Sequence, residues 1–158
     1  MTPQELIKQM DPYYALFGEF FAFANRLQTA GDTFYEEITC KQFFLAICMS
    51  LFTDEEPTAK QLAEVMGCSH QNVKVILDKM EKKGFVKITQ DKTDKRKLRI
   101  SLTKKMAEIG MQRKADQEKF VTALYDGISP EKAKETLETL LQIEENLKKI
   151  TDARGAIL

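Results

Sequence analysis

The side chains in this sequence that do covalent or metal chemistry are few, and their spacing gives them little to do. There are three cysteines, Cys40, Cys48 and Cys68, with no C-x-x-C pair. If Cys40 and Cys48 share a helix, their eight-residue separation sets them about 12 Å apart. A disulfide needs Cα atoms within about 7 Å, so that bridge is excluded. Reduced, buried thiols that the protein can dispense with are expected, because a reactive thiol needs a lowered pKa and access. His70 is the sole histidine. Paired with Cys68 it supplies two zinc ligands where a site needs three or four. No glycine-rich phosphate loop, G-x-S-x-G or H-E-x-x-H is present. Neither an enzyme nor a bound metal or cofactor is expected.

Binding chemistry is better provided. The net charge is zero, but His70 to Lys105 holds twelve Lys/Arg against four Asp/Glu, a balance of +8, and the remainder carries −8. Such an asymmetry points to a surface for a polyanion, on a chain kept soluble by acid elsewhere. At the start of the basic stretch stand Ser69, His70, Gln71 and Asn72, with Lys74 one turn on. On the leading turn of a helix, Gln and Asn form bidentate pairs with adenine, while free N–H groups and Lys meet phosphate. Ser69 serves there as both N-cap and phosphate contact. Further along, Lys92, Lys95, Lys97 and Arg99 are candidates for phosphate contacts, though alternation in a strand turns some of them away.

The elements around these residues are mostly helical. Thr2-Pro3-Gln4-Glu5 is a capping box that opens a helix, which Pro12 interrupts or bends. Met10, Tyr13, Tyr14, Phe17, Phe20, Phe21, Ala24 and Leu27 recur at spacings of three and four, up to a break at Gly31-Asp32. Thr39 to Gln42 is a second capping box, opening an almost wholly apolar helix to about Phe52 that should be buried on all sides. Thr58-Ala59-Lys60-Gln61 caps a short helix ended by Gly67, and Ser69 caps the next, ended by Gly84. Two short helices joined by a Gly-containing turn form a helix-turn-helix. Phe85, Val86 and Ile88, then a charged turn from Gln90 to Lys97, then Leu98 to Leu102 read as a β-hairpin. Thr103 caps a long helix to about Asp126, and Ser129-Pro130 starts the last one. The fold class is therefore mainly α with a small β-hairpin wing, a winged helix-turn-helix flanked by further helices.

The run Asp94-Lys95-Arg96, three residues, then Ile100-Ser101-Leu102-Thr103 resembles the wing signature of the MarR family of bacterial transcriptional regulators. Leu62-Ala63-Glu64, Ser69, Val73 and the stretch from Asp78 to Phe85 are similar to that family's helix-turn-helix in the same register. The resemblance is specific over Thr58 to Thr103, and the flanking helices agree in length and pattern. It implies a homodimer whose terminal helices interlock and whose two winged modules straddle palindromic double-stranded DNA. It also makes Arg96 the minor-groove arginine and Asp94 the carboxylate that orients it, as a narrow groove's negative potential favours. The family often carries Arg where this chain has Val75 and near Ile88; Val75 can instead pack on a thymine methyl.

Eleven of the fourteen aromatic residues lie between Tyr13 and Phe52. Core or dimer interface explains such a cluster most simply. The resemblance adds a second use, a pocket for an apolar effector lined by Phe17, Phe21, Phe44 and Ile47. The expected organisation is one compact domain in three parts: 1–52 for dimerisation and ligand, 53–103 for DNA, and 104–158 for dimerisation. Its 158 residues suffice for a core without disulfides, since about 70% of the chain's surface can be hidden at this size. The ten-residue apolar run from Phe43 to Phe52 is roughly half a membrane span. No signal peptide is recognisable, so a cytoplasmic protein is expected. The function expected is a sequence-specific regulator, in the main a repressor released by a small lipophilic or aromatic molecule. The alternative is a protein-binding adaptor whose wing lacks operator affinity.

Overall fold

The computed structural model describes residues 2–34 and 36–155. They form two compact units, Met1–Lys114 and Ala115–Leu158.

The first unit begins with α1 (Pro3–Ile7), capped by the expected box between Thr2 and Glu5. Pro12 ends nothing; it opens α2 (Pro12–Asp32), with Asp11 as N-cap accepting from the backbone of Tyr13 and Tyr14. A proline is well placed there because the first helical N–H lacks a partner anyway. Next come α3 (Cys40–Met49), α4 (Ala59–Met66) and α5 (His70–Lys82), each started by the Thr or Ser cap that the sequence signals. Gly67 at φ 64° and Gly84 at φ 74° occupy the left-handed region that closes α4 and α5. The amide of Cys68 donates to the Ala63 carbonyl at 3.0 Å, and that of Phe85 to the Met80 carbonyl at 2.8 Å. These bonds satisfy carbonyls that a frayed helix end would leave to water.

Strands β1 (Val86–Gln90) and β2 (Leu98–Leu102) pair antiparallel, with Ile88 opposite Ile100 and Thr89 opposite Arg99. Thr103 then does two things. Its hydroxyl caps α6 (Lys104–Gln112) through the Met106 amide, and also donates to the Gly84 carbonyl at 2.6 Å. The end of the hairpin is thereby tied to the end of α5. The core is continuous from α3 through the helix-turn-helix to the hairpin: Leu45, Leu62, Val73, Met80, Phe85 and Ile100 are all at most 2% exposed. Helix α3 touches α2, α4, α5 and β2, so it is central as expected. It is not buried all round, however. Phe44, Ile47 and Leu51 are exposed, because the neighbours in its own unit cover one side only.

The long helix expected to run from Thr103 to about Asp126 is in fact two. Arg113, at φ −95° and ψ 3°, leaves helical geometry between α6 and α7 (Lys114–Leu124). No proline marks the break, and Gly110 three residues earlier is still inside α6, so periodicity alone could not reveal it. The second unit holds almost all of α7, and α8 (Pro130–Gly155). Leu137, Leu141, Leu147 and Ile150 on α8 are more than half exposed, as are Tyr13, Tyr14, Phe17 and Phe21 on α2 in the first unit.

Gly31 is buried inside the last turn of α2 because α3 starts directly against it. A Cβ at this position would lie 2.5 Å from Cys40 Sγ and 2.9 Å from Cys40 Cβ. Asp32 holds the same junction by accepting the Cys40 amide at 2.7 Å. Helix propensity favours Gly31→Ala by about 1 kcal/mol, whereas such overpacking costs about 1–3 kcal/mol. The clash should win, lowering Tm by several degrees in a thermal melt. A Tm raised by the substitution would mean that the two helices are not packed this closely.

Candidate nucleic-acid interface

The leading turn of α5 is polar and exposed. Ser69 stands outside the helix in extended backbone and accepts the Asn72 amide at 3.2 Å, so its cap function is real. Behind it Val73, Leu77 and Met80 are buried against α4 and the wing, which fixes the helix by one face. The rest of the leading turn presents His70, Gln71, Asn72 and Lys74, all exposed. Val75 joins them at 46% exposure, an apolar side chain among polar ones. The free N–H groups of this turn and the helix dipole favour an anion beyond Ser69.

The second part is the wing tip. Asp91 gathers the turn: one carboxylate oxygen accepts the Thr93 amide at 2.8 Å, the Thr93 hydroxyl at 2.7 Å and the Asp94 amide at 2.8 Å. Asp94, placed by that turn, accepts from the Arg96 amide at 3.1 Å and from Arg96 Nε at 3.3 Å. The Arg96 side chain is 93% exposed, and that of Asp94 only 31%. An arginine is thus held out from the hairpin by a carboxylate that is itself held. Lys92, Lys95 and Lys97 are exposed around it. All but one of the expected nucleic-acid contacts lie in the same unit, at one helix N-terminus and one hairpin tip.

Arg99 is the exception. The sequence suggests a phosphate contact, but its side chain is only 14% exposed and faces acid. Its Nε donates to the second oxygen of Asp91, its Nη1 to the Glu56 carbonyl at 2.7 Å, and its Nη2 pairs with Glu55 at 3.0 Å. The hydrogen bonds to Asp91 and Glu55 raise the guanidinium's pKa further. The Asp94 amide, Arg99 and Thr93 hold the Asp91 carboxyl well below the usual carboxylate range. Asp91 and Glu55 therefore belong to the site's support, and sequence reading missed both. An Asp three residues before another Asp signals the turn, but nothing in the sequence pairs residue 55 with residue 99.

Lys83 and Lys105, both exposed, are tied down at their ammonium ends. Their ammonium groups sit 5.8 and 5.0 Å from the centre of the Phe85 ring, and they donate to the Glu37 and Lys83 carbonyls respectively. Burial pushes the Cys40 and Cys48 thiols up, with the charge of Asp32 adding to the first and Cys68 to the second. Such thiols are held away from the thiolate that reacts. Of the expected ligand pocket, Phe17 and Phe21 meet edge to face at 5.4 Å on α2, while Phe44 and Ile47 share one side of α3; all four are exposed.

Residues 44–98, from α3 to the start of β2, match the MarR family. No curated protein sequence matches the chain. Among solved structures, a MarR/EmrR family transcriptional regulator from Acinetobacter sp. ADP1 is 15% identical over 89% of this chain and 99% of its own, with a TM-score of 0.77. MepR of S. aureus, solved in complex with DNA, is 17% identical over 88% of this chain and 99% of its own, at 0.74. An organohalide-sensing transcriptional regulator, solved with 2,4-dichlorophenol bound, is 18% identical over 88% and 83% respectively, also at 0.74. At these identities the likeness is one of fold.

Proposed function

We propose that this chain, which is MarR-type in sequence over residues 44–98 and in fold beyond them, is a homodimeric DNA-binding transcriptional regulator of the cytoplasm. The observation that carries the reading is the pairing of an exposed, polar helix turn with an arginine held out on a wing. The turn from Ser69 to Asn72, with Lys74, enters the major groove, where Gln71 and Asn72 read base edges, His70 adds a contact and Val75 meets a thymine methyl. Arg96, oriented by Asp94, enters the flanking minor groove, and Lys92, Lys95 and Lys97 neutralise phosphates. Residues 53–103 do this work, and the flanking segments 1–52 and 104–158 supply the dimer. Footprinting the purified protein on DNA upstream of its own coding sequence should show a palindromic protected site. Protection nowhere, at low salt and micromolar protein, would leave the winged module without its target.

Dimerisation follows from the exposed apolar side chains. Two compact units that each leave four or more large hydrophobic residues over half exposed need a partner to cover them. A second copy of the chain does so symmetrically. Light scattering should give twice the 18.1 kDa of one chain. A stable monomer at micromolar concentration is the contrary result.

Within that reading the regulator is a repressor released by a small lipophilic or aromatic molecule. Phe17, Phe21, Phe44 and Ile47 offer an apolar surface for it, and the fold relative bound to 2,4-dichlorophenol supports the ligand class. Release of a labelled upstream duplex by added chlorophenols or aromatic acids tests this step.

A further inference from the structure

We propose that Arg99 is a positioning residue for Arg96, acting through a relay of two carboxylates from the body of the module to the wing tip. The inference rests on the minor-groove role proposed for Arg96. The relay can be followed atom by atom. The Arg99 guanidinium is anchored on the loop before α4, by the Glu56 carbonyl at 2.7 Å and the Glu55 carboxylate at 3.0 Å. Its Nε grips one oxygen of Asp91. The other oxygen of Asp91 holds the amides of Thr93 and Asp94, each at 2.8 Å. Asp94 so placed holds Arg96 at its amide and at Nε. The Ile100 amide, donating to the Pro57 carbonyl at 2.9 Å, ties the same strand to the same loop.

Two features argue for positioning over direct contact. All three guanidinium nitrogens are committed, and Asp91 and Glu55 leave the cluster net negative, which repels phosphate. The planar fork also suits the task, because it reaches three acceptors in three fixed directions while an ammonium acts as a point charge. Arg96 needs such support. A 93% exposed arginine on a loose hairpin would lose orientational freedom on entering a groove, and a pre-held one loses less.

The test is a double-mutant cycle on duplex DNA from upstream of the protein's own coding sequence. Arg99→Gln should weaken binding about tenfold in the parent, and less than about twofold in Arg96→Ala, because the relay then has nothing to deliver. Arg99→Lys, which keeps the charge but not the fork, should behave like Arg99→Gln. Equal weakening by Arg99→Gln in both backgrounds, with Arg99→Lys like the parent, would mean that Arg99 touches phosphate itself, and the relay is wrong. Should Arg99→Gln fail to fold, as judged by circular dichroism, Asp91→Asn cuts the relay one step later. It must show the same loss of effect beside Arg96→Ala. Arg96→Ala binding like the parent would overturn the minor-groove reading and the relay with it, whereas additive effects overturn the relay alone.

Discussion

Phe85→Ala should cost about 3–5 kcal/mol, the usual range for emptying a buried phenyl site. Among the described residues Phe85 is the largest of the fully buried side chains, and it lies where α5 turns into β1. Its ring carries Lys83 and Lys105 near its edge of the core, and its carbonyl accepts from both the amide and the hydroxyl of Thr103. The backbone bonds survive the substitution, but the ring that spaces α5 from the hairpin does not. Against a total stability near the lower end of the usual range of about 5–15 kcal/mol, the loss is enough to unfold a sizeable share of molecules at 37 °C. Urea denaturation should show a lower midpoint at unchanged slope. The measurement must be made at one protein concentration, because a dimer's apparent stability varies with it. A loss below about 1 kcal/mol would show that the ring is not packed as described.

Arg96→Ala and Gln71→Ala should weaken DNA binding in different ways. Arg96→Ala removes a charge from a groove in which width and A·T content are read. Affinity should fall for operator and scrambled duplex alike, and the dependence on salt should flatten by about one unit of slope. Gln71→Ala removes a base reader and no charge. Operator binding should weaken by about 1–3 kcal/mol, with the salt slope unchanged and preference relaxed at one position in each half-site. Titrations of both variants on both duplexes across a salt series separate the two patterns. If neither variant differs from the parent, the winged module serves something other than DNA, and a protein-binding adaptor becomes the better account.

The sequence by itself determined the elements whose causes are local. Thr39 with Gln42, Thr58 with Gln61, and Ser69 start three helices by side-chain bonds spanning three residues, and all three starts are where the sequence signals them. Gly67 and Gly84 end helices because a left-handed backbone suits glycine. The change from a period near four to alternation located the hairpin, and Asp94-Lys95-Arg96 located its tip. Only tertiary structure decided what depends on distant partners. Arg99 looks like another surface cation in the sequence; residues 55 and 56, some forty positions away, make it a partly buried strut. Lys83 and Lys105 stay exposed, but Phe85 and two carbonyls hold their ammonium groups in place. The apolar run in α3 predicted burial on every side, yet hydrophobicity says that a side chain seeks cover, not whether its own chain provides it. Phe44 and Ile47 stay exposed for that reason, and the break at Arg113 was equally hidden, since it follows from no residue that forbids a helix.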